Sequence, residues 1–166
     1  MTLIIVRHCQ SEWNKLNKFT GLHDVDLSDD GKINALECGK DLMDYKIDVA
    51  YTSELKRAYN TCELIKEGSR QDFEIIKINH INERDYGHLT GLNKDATKKK
   101  YGEEQVHLWR RSVNIRPPGG ENLLDVIERV KIFYNNIIQY HLHKNDNILI
   151  VGHGNSIRSL LVVLGL

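Results

Sequence analysis

The stretch Thr2-Leu-Ile-Ile-Val-Arg-His8 places an arginine and a histidine directly after a short apolar run. The run is rich in β-branched residues and does not alternate with polar ones, which predicts a strand buried on both faces of a parallel sheet. The segment Asn147-Ile-Leu-Ile-Val-Gly-His153 has the same pattern near the other end of the chain. Because ligands of such sheets bind at the carboxyl ends of the strands, His8 and His153 are candidate site residues.

Strands and helices alternate along the rest of the chain. Residues 47–51 and 73–78 predict two more strands, and residues 33–45, 53–67, 94–113, 122–143 and 157–164 predict helices, the third of these helical ranges with a break at Gly102. Ser28, Ser53 and Asn122 are the predicted N-caps. This order is typical of an α/β fold with three α/β/α layers and a mainly parallel sheet, formed here by a single domain over residues 1–166.

The composition excludes several classes of protein. Lys plus Arg and Asp plus Glu each number 23, so the net charge is zero and gives no general reason to bind nucleic acid or an anionic membrane. No apolar run approaches the roughly 18 residues of a membrane span, and no signal peptide is visible. Three scattered cysteines predict neither a disulfide scaffold nor a zinc site. These features favour a cytoplasmic protein.

The residues that follow the predicted strands point to phosphoryl transfer. A neutral imidazole is a competent nucleophile toward phosphorus, and arginine side chains such as Arg7 and Arg57 match the oxygens of a phosphoryl group. Glu83, after the third strand, is placed to exchange a proton with the oxygen that leaves or attacks. No P-loop or aspartate-rich cluster is present to hold magnesium and a nucleotide, so we expect no metal.

Alternative interpretations of the histidines remain open. A metal site at His8 and His153 lacks a carboxylate or third histidine at a recognisable ligand spacing. A single histidine after a strand is more often a hydrogen-bonded structural residue than a catalyst. We interpret the remaining histidines as structural: His23, His80, His88, His107, His141 and His143.

The segment Val6-Arg-His-Cys-Gln-Ser-Glu-Trp-Asn14 resembles the opening motif of the cofactor-dependent phosphoglycerate mutases, a family within the histidine phosphatase superfamily. The resemblance covers nearly the whole chain, in order. It continues through Phe19-Thr-Gly21, Thr52-Ser-Glu-Leu-Lys-Arg-Ala58, Glu83-Arg-Asp-Tyr-Gly87, Leu89-Thr-Gly-Leu-Asn-Lys94, Trp109-Arg-Arg111, Pro117-Pro-Gly-Gly-Glu121 and Gly152-His-Gly-Asn-Ser156.

The resemblance implies a phosphoglycerate mutase-like fold and an isomerase of glycolysis and gluconeogenesis that interconverts 3-phosphoglycerate and 2-phosphoglycerate. It implies that His8 becomes phosphohistidine, that 2,3-bisphosphoglycerate is the priming cofactor, and that Glu83 carries protons. Arg7, Arg57 and His153 would then hold the transferring phosphoryl group. The implied substrate-binding residues are Ser11, Asn14, Thr20, Gly21, Tyr86, Lys94, Arg110, Arg111 and Asn155.

The charge distribution fits a small anionic phosphorylated substrate. Residues 91–116 hold seven Lys or Arg and three Asp or Glu, whereas residues 24–44 hold seven acids and two lysines. The basic stretch is also compatible with an ordinary solvated helix face. An exposed sheet edge and an apolar last helix leave self-association into a homo-oligomer open.

The sequence departs from the family pattern at three places. Cys9 replaces a glycine, Asp85 replaces a histidine, and the chain stops at Leu166, where the resemblance implies further strands and a tail. A site open to water would hydrolyse the phosphoryl group. A phosphomonoesterase of the same superfamily and a truncated, non-catalytic homologue therefore remain alternative interpretations.

Overall fold

A computed structural model describes residues 1–166 and contains one sheet of four parallel strands in the order β1-β4-β2-β3. Each predicted strand is present, with ends that lie within two residues of the prediction. The strands are β1 (Leu3–Arg7), β2 (Val49–Thr52), β3 (Glu74–Lys77) and β4 (Ile148–Gly152).

The central strand β4 explains the lack of apolar–polar alternation in its sequence. Ile148 and Ile150 pack into a core on one face of the sheet, and Leu149 and Val151 pack into a core on the other. All four are essentially inaccessible to solvent. The strand therefore needs apolar residues at every position, as expected of a strand covered on both faces.

Helices cover both faces, so the predicted three-layer α/β/α architecture is confirmed. The helices α2 (Asp29–Asp41) and α3 (Lys56–Ser69) pack on the face of Leu149. The helices α6 (Leu123–Phe133) and α8 (Gly154–Val163) pack on the face of Ile148. A π-helical turn (Tyr134–Ile138) joins α6 to α7 (Gln139–Lys144). None of the helices is long and apolar enough to span a bilayer.

Two of the three predicted N-caps are confirmed. Ser28 accepts a hydrogen bond from the N–H of Gly31, and Asn122 forms a reciprocal capping box with Asp125. The prediction for Ser53 is wrong, because α3 begins after Leu55 without a side-chain cap. The Ser53 hydroxyl lies instead 2.6 Å from Nε2 of His153, across the edge of the sheet.

Short helices in the connections cover the carboxyl edge of the sheet. These are α1 (Glu12–Lys15), α4 (Lys94–Tyr101) and α5 (Glu103–Arg111). The predicted break between the last two is present at Gly102, whose φ of 88° favours glycine. A third small core of Phe19, Leu89 and Val106 ties α5 to the loops beside the sheet. The connections thereby enclose the space above the strand ends.

Candidate active site

His8 and His153 lie side by side at the carboxyl edge of the sheet. Their strands β1 and β4 are paired in parallel with Arg7 opposite Gly152, so the residues that follow are also neighbours. The centroids of the two imidazole rings are 4.9 Å apart, and both residues are buried. The sheet register therefore brings together two residues that are 145 positions apart in the chain.

The surroundings of His8 fix its tautomer and keep it neutral. Nδ1 lies 2.7 Å from the carbonyl oxygen of Cys9, and because a carbonyl only accepts hydrogen bonds, Nδ1 carries the proton. The lone pair is then on Nε2. Burial, followed by the positive charge of Arg57, lowers the pKa of His8 from 6.5 to about 3. At neutral pH His8 is thus an uncharged imidazole with a free nucleophilic nitrogen.

His153 is also held neutral. Its pKa is lowered well below 6.5, first by burial and then by the charge of Arg57. Nε2 bonds to the Ser53 hydroxyl, while Nδ1 is buried and has no partner within the protein. A buried polar atom without a hydrogen-bond partner costs free energy. Such an atom is typical of a group that binds a ligand in the functional state.

Arg57 is a buried cation that the backbone holds in place. Its Nη1 and Nη2 atoms donate to the carbonyl oxygens of His23 and Gly21, at 3.0 Å and 2.6 Å. Burial lowers its pKa to about 10, so it stays charged at neutral pH. The same guanidinium lines a cavity together with His8 and Arg7. Arg7 and Arg57 thus provide positive charge beside the nucleophile, and the charge of Arg57 is fixed in place by the backbone.

Glu83 is the only carboxylate that lines the cavity. Its Oε1 accepts a hydrogen bond from the N–H of Arg84 at 2.8 Å, which orients the carboxylate and leaves Oε2 free to face a ligand. Tyr86 follows in the same loop, and its hydroxyl accepts a bond from Nδ2 of Asn155 at 3.2 Å. The loop that follows β3 and the start of α8 therefore meet at the cavity.

The cavity has a volume of about 210 Å³ and a strongly basic lining. Seven Lys or Arg side chains face one carboxylate, so it suits a polyanion small enough to be enclosed. Twelve of the residues predicted from sequence line it: Arg7, His8, Asn14, Thr20, Gly21, Arg57, Glu83, Tyr86, Lys94, Arg110, Arg111 and Asn155.

The structure places two predicted residues outside this lining. His153 is fully buried beside His8, with its ring centroid 4.9 Å from that of His8. Ser11 is buried and caps α1: its hydroxyl accepts from the N–H of Asn14, whose side chain accepts from the N–H of Ser11. Ser11 therefore orients Asn14 rather than facing the cavity itself.

Four further residues that line the cavity were not predicted from the sequence: Lys18, Phe19, Gly154 and Arg158. Arg158 lies one helical turn after Asn155 on α8 and contacts its Oδ1 at 3.4 Å, so helical spacing from Asn155 could have found it. Arg84 is fully buried and donates to the backbone carbonyls of Trp109 and Arg110. It thus holds the end of α5, which carries Arg110 and Arg111.

The two sequence departures near the site leave the cavity lining intact. The Cys9 side chain is half-buried and does not line the cavity, while its N–H donates to Oγ1 of Thr61 at 3.1 Å. Asp85 accepts a hydrogen bond from the N–H of Gly87 at 2.8 Å and so stabilises the turn after Glu83. No group of three or more His, Cys, Asp or Glu side chains is placed to hold a metal ion.

Comparison with known proteins gives a family match over almost the whole chain. Residues 3–165 match the histidine phosphatase superfamily (branch 1). The chain belongs to this superfamily. Among curated histidine phosphatase relatives, the 2,3-bisphosphoglycerate-dependent phosphoglycerate mutase of Bartonella bacilliformis is 50% identical over 98% of this chain and 81% of its own length. The protein of the same name from Mesorhizobium japonicum is 48% identical over the same shares.

Solved structures confirm the phosphoglycerate mutase-like fold. Bacillus stearothermophilus YhfR has a TM-score of 0.87 at 26% identity and covers 98% of this chain and 79% of its own. A phosphoglycerate mutase from Bacillus anthracis has a TM-score of 0.85 at 24% identity, over 99% of this chain and 79% of its own. At that identity the second likeness concerns the fold alone.

The depressed pKa of His8 predicts a loss of stability in acid. Between pH 6.5 and about 3 the unfolded chain protonates this side chain while the histidine phosphatase fold keeps it neutral. The unfolded state then binds more protons, so the free energy of unfolding falls as the pH falls. For His8 alone we expect about 2 kcal/mol of loss between pH 7 and pH 5.

Urea unfolding of the wild type and of His8→Asn at the two pH values measures this loss. All other titrating groups are common to both proteins, so we expect the variant to lose less stability than the wild type by that amount. An equal loss in the two proteins would show that His8 titrates normally in the folded state.

Proposed function

We propose that this protein is a 2,3-bisphosphoglycerate-dependent phosphoglycerate mutase that interconverts 3-phosphoglycerate and 2-phosphoglycerate through phosphohistidine at His8. The observation that carries the proposal is the neutral His8, with its lone pair on Nε2, at a cavity lined by seven cations and one carboxylate. The name shared by relatives about half identical to this chain supports the substrate. We place the enzyme in the cytoplasm, in glycolysis and gluconeogenesis.

The cavity residues fit the phosphoglycerates and the priming bisphosphate. These molecules carry phosphate and carboxylate groups on a three-carbon chain, which the basic lining complements. Arg7, Arg57 and His153 hold the transferring phosphoryl group, and Asn14 and Asn155 add hydrogen bonds. The carboxylate and the distal phosphate bind to Thr20, Gly21, Tyr86, Lys94, Arg110 and Arg111. When bound, 2,3-bisphosphoglycerate supplies the phosphoryl group that first loads His8.

In each transfer, His8 alternates between imidazole and phosphohistidine. Phosphorylated His8 gives its phosphoryl group to the free hydroxyl of a monophosphoglycerate, so the P–N bond breaks and a P–O bond forms. Glu83 accepts the proton of that hydroxyl. Once the resulting 2,3-bisphosphoglycerate has reoriented within the cavity, Nε2 of His8 attacks the phosphorus of the other phosphate group. A P–O bond then breaks, and Glu83 returns its proton to the released oxygen.

The buried Arg57 serves this cycle by staying charged while both histidines stay neutral. Phosphoryl transfer depends mainly on positioning and on stabilising the charge of the equatorial oxygens. Arg57 is already fixed by two carbonyl groups, so little ordering is needed when the phosphoryl group arrives. The nucleophile therefore acts without losing its lone pair to a proton.

An isomerase assay tests the proposal. We expect 3-phosphoglycerate to give 2-phosphoglycerate at a rate that rises when catalytic amounts of 2,3-bisphosphoglycerate are added. Inorganic phosphate is measured in the same reaction. Release of phosphate without formation of the isomer would show a phosphomonoesterase, and absence of both products would show a non-catalytic homologue.

A further inference from the structure

Arg129, on α6, uses every N–H of its guanidinium group within the protein. Nη1 donates to the carbonyl oxygens of His80 and Asn82 at 2.9 and 2.8 Å. Nη2 donates to the carbonyl oxygen of Glu83 at 3.0 Å and to Oε2 of Glu121 at 3.0 Å, and Nε donates to Oε1 of Glu121 at 3.2 Å. A guanidinium has five such donors, so none is left for a ligand.

These bonds hold the backbone that leads into Glu83. The three carbonyl groups belong to the segment 80–83, which begins in a single 3₁₀ turn and contains no strand or α-helix of its own. A loop without regular hydrogen bonding keeps one conformation only when other groups satisfy its carbonyls. Arg129 does this for the residues directly before the proposed proton carrier, and for that residue itself.

Glu121 fixes the same loop from the other side of Glu83. Its Oε2 accepts from the N–H of Asp85 at 3.0 Å, and its own N–H donates to the carbonyl oxygen of Asp85 at 2.8 Å. The carbonyl oxygen of Glu121 also accepts from Nε of Arg84 at 2.6 Å. The Arg129–Glu121 ion pair therefore joins the backbone before Glu83 to the backbone after it.

We propose that Arg129, paired with Glu121, is a positioning residue that sets the place of the Glu83 carboxylate for proton transfer. The proposal rests on the function proposed above for Glu83. Arg129 does not line the cavity, so it acts only through the loop. The cations proposed to bind the phosphates lie on other segments: Arg7, Arg57, Lys94, Arg110 and Arg111. Loss of Arg129 should therefore affect proton transfer much more than binding.

Lysine at position 129 separates this role from a simple need for positive charge. Its three donors share one nitrogen and cannot reach three carbonyls and both oxygens of Glu121. Because a displacement of about 1 Å near the chemistry costs up to about 100-fold in rate, we expect Arg129→Lys to lower kcat by about 10- to 100-fold. KM should change by less than about threefold, since the binding cations are untouched.

The decisive experiment combines Arg129→Lys with Glu83→Gln. If Arg129 acts through Glu83, its replacement should lower kcat in the wild-type background but by less than about threefold when Glu83 is already glutamine. The matched control is Arg70→Lys, at the exposed end of α3, which should leave kcat unchanged. Equal losses in both backgrounds, or an unchanged kcat for Arg129→Lys, would overturn the proposal.

Two further measurements keep the test decisive. Circular dichroism and thermal unfolding report whether Arg129→Lys is folded. If it is not, Glu121→Gln, which keeps the size of the side chain and one acceptor oxygen, replaces it and is combined with Glu83→Gln in the same way. Isomer formation and phosphate release are followed in parallel. A wild type that only releases phosphate would overturn the mutase function, while the coupling of Arg129 to Glu83 would still be read from hydrolysis.

Discussion

Replacing His8 with asparagine should abolish phosphoryl transfer, with kcat lower by at least about 10⁴-fold. Asparagine keeps a polar group near the carbonyl of Cys9 but has no atom in place of Nε2, the nitrogen that carries the lone pair. Without it the phosphoryl group has no acceptor on the protein. Isomer formation and the intact mass after incubation with 2,3-bisphosphoglycerate at neutral pH measure the effect.

The control for His8→Asn is ligand binding. Because the seven cations of the cavity remain, calorimetry should show that the variant still binds 3-phosphoglycerate. A variant that binds but gains no phosphoryl mass separates loss of the nucleophile from loss of the fold. Turnover above about one percent of wild type would show that another group accepts the phosphoryl group.

Replacing Glu83 with glutamine should lower kcat by about 10²- to 10⁴-fold, the usual contribution of a positioned general acid or base. The amide oxygen can still accept from the N–H of Arg84, so the loop keeps its bond, but no proton can be taken up or released. We expect KM for 3-phosphoglycerate to change little. Steady-state kinetics across pH measures both parameters.

A phosphoryl donor with a good leaving group provides the control for Glu83→Gln. Nitrophenolate departs without a proton, so phosphorylation of His8 by nitrophenyl phosphate should be slowed much less than phosphorylation by 2,3-bisphosphoglycerate. Equal losses with the two donors would show that Glu83 positions the phosphoryl group rather than moving a proton.

The parts of the site next to strands were predictable from sequence. Arg7 ends β1, and His8 and His153 directly follow β1 and β4, whose apolar runs of four residues are visible in the sequence. Parallel pairing of the two strands then determines that these residues meet. The position of a residue at a strand end does not, however, predict which partner a serine there will bind. Ser53 follows β2 and has the residue type of an N-cap, yet it bonds to His153, because caps and long-range partners use the same hydroxyl chemistry.

Residues that act at a distance could not be predicted in this way. Arg129 lies in the middle of α6, where nothing in the local sequence shows which loop packs against it. Its partners His80, Asn82 and Glu83 are 46 to 49 positions away and contribute backbone atoms, which are the same for every residue type. Arg84 likewise donates hydrogen bonds only to backbone carbonyls. Such contacts leave no pattern of side-chain types in a single sequence.

The most direct test of the mechanism follows one phosphoryl group through His8. The enzyme is loaded from 2,3-bisphosphoglycerate labelled with radioactive phosphorus, freed of excess label and mixed rapidly with unlabelled 3-phosphoglycerate. We expect label on His8 that moves to phosphoglycerates at a rate no slower than kcat, with little inorganic phosphate. Label that never reaches His8, or that leaves it mainly as inorganic phosphate, would contradict the proposed mutase.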